Sequence, residues 1–102
     1  MIKKEELEIV QFVLEKSGMF LINRVEDFHL LVTGIIIGKE KTEQERLNEF
    51  FNDFSKFVSK KTDDKLQGEY YKVIRYYSSS DYSSMELLKD YFSEFLTTQN
   101  RL

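Results

Sequence analysis

One histidine, His29, stands in the chain, three residues after Glu26. Glu-x-x-His at helical spacing is how di-iron bundles hold metal, but such sites need the pair twice and further glutamates from two other helices. With one histidine and no cysteine that second set is missing, so no metal or cofactor is expected. His29 reads instead as a helix-surface histidine beside a capping glutamate. A nucleophilic triad would require the same His29 beside an activated serine. The serines gather in SSSDYSS, from Ser78 to Ser84, where turn chemistry accounts for them. Asp53, Asp63, Asp64 and Asp81 could converge as paired carboxylates, which keeps a small hydrolase open as a third reading. The segment GKEKT, from Gly38, lacks the upstream glycine of a phosphate-binding loop. No catalytic residue is assigned, and the chain is expected not to be an enzyme.

The tyrosines offer binding rather than catalysis. Tyr70, Tyr71, Tyr76, Tyr77 and Tyr82 surround one loop, and on a helix they cannot all face inward. Tyrosine combines a large rigid contact area with a polar tip, which suits interfaces. Asp63, Asp64, Glu69 and Asp81 share that region, so Asp63, Asp64, Glu69, Tyr71, Tyr76, Asp81 and Tyr82 form a candidate acidic and aromatic patch for a basic partner. The competing reading has two or three tyrosines completing the core and the others lying flat over it. Lys72 and Arg75 do not dominate their surroundings, so stacking on nucleic acid is not expected.

These residues need elements to position them, and the central one runs from Thr42 to Lys61. Leu47, Phe50, Phe51, Phe54, Phe57 and Val58 recur at three- and four-residue steps and make one apolar stripe on a helix. Thr42 with Glu45 has the spacing of a capping box, and acids early with lysines late suit the helix dipole. Ile2 to Ser17 is a second amphipathic pattern, which Gly18 should close in the left-handed conformation. Met19 to Ile22 is expected to be an extended apolar link tucked against the core. Asn23 with Glu26 predicts the start of another helix and Gly38 its end, with Gly34 marking a close helix approach. That helix is expected to be the most buried, although its run of three isoleucines also suits a strand. TDDKLQG reads as a polar linker. Glu69 to Tyr77 fits a helical face, and its β-branched and aromatic content leaves a strand as the alternative; helix is preferred, since a lone strand would have nothing to pair with. Ser83 with Glu86 predicts the cap of a last helix, its stripe formed by Met85, Leu88, Tyr91, Phe92, Phe95 and Leu96, with fraying after Thr98.

The 102 residues suffice for one modest core, so residues 1–102 are expected to form a single all-α domain, a compact bundle of about five helices. Nine Phe and no Trp make that core phenylalanine-rich. The absence of cysteine fits a reducing cytoplasm, and no apolar run approaches a membrane span, so a soluble cytoplasmic protein is expected. A net charge of −3 disfavours nucleic acid and mildly favours a basic partner.

Gly18-Met19-Phe20-Leu21, Phe28 through Gly34 and Gly38, the phenylalanine helix Phe50 to Val58, and the loop Tyr77-Ser78-Ser79-Ser80-Asp81 together resemble a group of small bacterial proteins. That group resembles the immunity proteins of polymorphic and contact-dependent growth inhibition toxin systems. The resemblance implies a helical protein that binds and occludes a cognate toxin domain such as a nuclease, and it carries over no site residue. Acids would then steer a basic toxin and tyrosines would set the off-rate. The alternative is a housekeeping interaction or regulatory module, or a homodimer joined through exposed aromatics.

Overall fold

The computed structural model describes residues 2–62 and 67–100. Among the described residues five α-helices follow one another: α1 (Lys4–Glu15), α2 (Val25–Ile37), α3 (Lys41–Lys61), α4 (Tyr70–Tyr76) and α5 (Asp81–Asn100), with a 3₁₀ turn at Ser17–Phe20. No strand occurs among the described residues. The isoleucine run 35–37 and the segment 70–76 are therefore helical: isolated strands would leave backbone groups unpaired, which a helix satisfies internally. The all-α architecture expected from the periodicity holds, and the Cα radius of gyration of 13.0 Å is that of a compact globule of this length.

The core is an aromatic assembly centred on α3. Phe54 is fully buried, with its ring centroid 5.2 Å from Tyr70, 5.3 Å from Phe92 and 5.4 Å from Phe95. Phe92 carries the contact onward to Phe50 at 5.9 Å and Phe28 at 6.4 Å, so α2, α3, α4 and α5 all meet at one cluster of rings. Edge-on and tilted arrangements prevail there, the geometries in which ring quadrupoles attract. Helix α1 adds Leu7, Val10, Val13 and Leu14 to the same cluster. The stripe predicted for α3 is buried at Leu47, Phe50, Phe51, Phe54 and Val58, while Phe57 is half-buried. Helix α2, expected to be the most buried, buries only Val25, Phe28 and Val32, fewer residues than α1 or α3.

Several local expectations fail because the helix ends find partners other than those predicted, two of them on distant helices. Thr42 lies inside α3 and is exposed, and the cap residue, Glu40, makes no side-chain cap bond. Gln44 closes the α2–α3 turn instead, donating from Nε2 to the Ile37 and Lys39 carbonyls at 3.2 and 2.9 Å. Asn23 does not cap α2, and Glu26 reaches across to Arg75. The first amide of α2, at Val25, donates 3.2 Å to the Oγ of fully buried Ser84 on α5, and that hydroxyl donates in turn to the Asp81 carbonyl. Ser55 on α3 likewise accepts from the Tyr70 N–H at 2.8 Å, at the start of α4. Helix α5 has its reciprocal cap three residues earlier than predicted: Ser80 Oγ accepts from the Ser83 N–H, and Ser83 Oγ accepts from the Ser80 N–H. A substitution Ser84→Ala strands the Val25 amide and is expected to cost about 1–3 kcal/mol in urea denaturation, with faster hydrogen exchange at Val25.

Two glycines also depart from expectation. A Cβ at Gly34 would meet nothing within 4 Å, so no helix approaches closely there. Gly18 has no positive φ; the left-handed residue is Leu21, at φ 57°. Helix α5 continues to Asn100, past the point where fraying was expected.

One polar contact in the packing was invisible to periodicity. Glu6 is 8% exposed and accepts from Arg46 Nε at 2.9 and 3.0 Å and from the Lys3 N–H at 2.8 Å, tying α1 to α3. These bonds, Arg46 foremost, hold its carboxyl down to about 2 from the ordinary 4.5. The folded value lies below the unfolded one, so this stabilisation is complete above about pH 4.5 and is lost as the pH falls toward about 2. Glu6→Gln should flatten the fall of stability with pH in that window. An unchanged slope in denaturation series would contradict the assignment.

Candidate functional site

Of the predicted acidic and tyrosine patch, Glu69 and Tyr71 stand together, the Glu69 carboxylate raising the Tyr71 phenol. Asp63 and Asp64 lie outside the described residues. Tyr70 is a core residue, and Tyr71 stacks on the His29 ring at a centroid distance of 3.8 Å. Tyr76 and Tyr82 are exposed, and Tyr82 donates to Glu86 at 3.0 Å. Tyr77 is partly exposed and donates to the Thr62 carbonyl at the end of α3. Asp81 is held by Arg75 at 3.0 Å, and Arg75 also grips Glu26 through two 2.7 Å bonds. Arg75 therefore pairs with both Asp81 and Glu26, so that Asp81, counted as free in the sequence, is partnered in the fold, with one negative charge left over in the triad. The same contacts depress the Glu26 carboxyl and raise the Arg75 guanidinium.

His29 is not a simple surface residue. It is half-buried, and burial pushes its imidazole below the ordinary 6.5, with Lys72 acting in the same direction and Glu69 against it. Tyr70 Oη lies 3.1 Å from Nδ1. Burial keeps the phenol protonated, and among the described residues its O–H has no other acceptor, so it donates to Nδ1 and the ring's own proton sits on Nε2. His29 lines a cleft of about 300 Å³ between α2 and α3, closed at one end by Glu69 and Tyr70. No group of three or more metal-ligating side chains occurs among the described residues.

The most exposed apolar surface lies where sequence reasoning expected a buried link. Residues 17–20 form the 3₁₀ turn, and Leu21 then takes a left-handed conformation that reverses the chain so that Ile22 enters the core. The turn is closed by Ile22 N–H donating to the Ser17 carbonyl at 2.9 Å. Met19 is left 73% exposed and Leu21 81% exposed, while Phe20 sets its ring edge-on to Phe12 of α1 at 5.8 Å. Ile9 lies one turn before Phe12 and is exposed as well. Glu5, Glu8 and Glu15 flank this corner on the surface of α1, against Lys16 at its end. The signal available in the sequence was the density of apolar residues on both sides of Gly18; nothing in the periodicity says which side faces water.

No helix among the described residues is long and apolar enough to cross a membrane. Neither a curated protein nor a solved structure matches the chain. Residues 19–100 match the DUF247 family, described as a plant protein of unknown function. This match overturns the assignment to bacterial immunity proteins, and with it the toxin partner and the contact-dependent inhibition context. The physical reason is plain: the resemblance rested on apolar and glycine positions, and Gly18 and Gly34 prove to have neither the conformation nor the close contact that would make them diagnostic. With residues 19–100 matched out of 102, the chain belongs to this plant family of unknown function.

Proposed function

We propose that the chain is a non-catalytic protein-interaction module whose binding surface is the corner formed by α1 and the 3₁₀ turn. The observation that carries this reading is five exposed large apolar side chains, Ile9, Phe12, Met19, Phe20 and Leu21, on α1 and the turn that follows it, with Phe12 and Phe20 in ring contact across the two. Contiguous apolar surface of this kind is costly in water and marks contact sites. Leu21 adds a second cost, because a left-handed backbone disfavours any residue with a Cβ by about 1–2 kcal/mol. A residue that is both strained and exposed contributes little to the fold, which supports a role in binding.

The flanking charges indicate the partner. Glu5, Glu8 and Glu15 would repel an acidic surface and attract a basic one, so the reading is a partner segment with an apolar stripe flanked by Lys or Arg. A second copy of the chain is disfavoured at this face, because a two-fold contact would bring glutamates toward glutamates. The cytoplasm is part of the same proposal, supported by a sequence without cysteine. Calorimetry with two helical peptides of identical apolar stripe, one flanked by lysines and one by glutamates, tests the reading. The lysine peptide should bind, and more weakly as salt is raised; equal affinity for both, or none for either, would contradict it.

A further inference from the structure

We infer that the cleft between α2 and α3 is a separate binding site for a small aromatic amine. Its floor is apolar, with Val32, Phe51 and Tyr70 buried beneath it. Its α3 rim carries Gln44, Asn48 and Asn52, spaced four residues apart and therefore aligned along one helix face. Gln44 is occupied with the α2–α3 turn, but Asn48 and Asn52 make no hydrogen bond among the described residues. Two unengaged carboxamides above an aromatic floor offer donors and acceptors to a flat ligand with a polar edge.

The charge of that ligand follows from the end of the cleft. Glu69 is the one charged side chain lining it among the described residues, and burial disfavours the charged form of neighbouring His29. No lysine or arginine lines it to receive an anion. A cationic amine directed at Glu69, with its ring on Phe51 and its edge toward Asn48 and Asn52, satisfies all three features. A volume of about 300 Å³ is at the lower end for small-molecule sites, which fits a one- or two-ring compound. This site shares no residue with the corner at Met19 to Leu21: its α2 residues lie between His29 and Ile37, and none of the corner residues lines it.

Tryptamine and indole-3-propionate share a ring and carry opposite charges, so the pair isolates the role of Glu69. In ¹⁵N-resolved NMR titrations tryptamine should shift the side-chain amides of Asn48 and Asn52, with a dissociation constant below about 1 mM. Indole-3-propionate should bind at least about tenfold more weakly, a difference of about 1.4 kcal/mol. Glu69→Gln should abolish the preference; Glu69 is exposed and makes no side-chain cap bond to α4, and its interaction with the Tyr71 phenol is one that a glutamine carboxamide can also make. Asn52→Leu should weaken tryptamine with the folded spectrum otherwise retained. The inference is overturned if neither compound shifts these amides, if the acid binds as well as the amine, or if Glu69→Gln leaves the preference intact.

Discussion

Phe54→Ala is expected to remove about 3–5 kcal/mol of folding stability, which for a domain with a total of about 5–15 kcal/mol leaves a substantially weakened fold. The ring is fully buried and touches aromatic partners from both α4 and α5, so its removal opens a cavity where three helices meet. Neighbouring rings are held by one another and cannot collapse freely into the space. Phe57→Ala, on the same helix, is expected to cost about 1 kcal/mol, because Phe57 is half-buried, with one ring contact to Phe95 at 5.3 Å and the Lys61 ammonium over its face. Urea denaturation of the two variants measures the contrast. Similar losses at both positions would mean that the aromatic cluster is not the centre of the fold.

The second large effect concerns binding rather than folding. Replacing Met19 by Ser together with Leu21 by Gly should weaken the lysine-flanked peptide by more than about 2 kcal/mol, roughly thirtyfold, because apolar anchors at the middle of a contact dominate its energy. Folding stability should hold or rise. Both side chains are largely exposed, and glycine relieves the left-handed strain at position 21. Loss of affinity with retained stability is the signature of a contact residue. Loss of both would make the corner a part of the fold.

How much of this was legible beforehand depended on which forces act locally. The stripe Leu47, Phe50, Phe51, Phe54 and Val58 announced α3 because burial of one helix face imposes its own spacing. The caps were not legible. Ser84 and Ser55 serve helices other than their own, through partners 59 and 15 residues away, and no local pattern records such a bond. Glu6 and Arg46, 40 residues apart, are hidden for the same reason. In the candidate sites, Tyr71 and Glu69 were noticed, but as members of one patch with Asp81, which Arg75 instead draws toward Glu26. The corner at Met19 to Leu21 was taken for buried because apolar residues usually are. That inference runs one way only, and the exposed exception carries the functional information.

The interaction surface is tested most directly by methyl NMR of the intact chain as the lysine-flanked peptide is added. Leu30 and Ile37 on α2 are 69% and 72% exposed and serve as internal controls, being apolar and accessible but carried by a different element from the corner residues. The account predicts that the methyls of Ile9, Met19 and Leu21 shift or broaden together while those of Leu30 and Ile37 stay in place. Equal changes at all five, or changes at Leu30 and Ile37 alone, would contradict it.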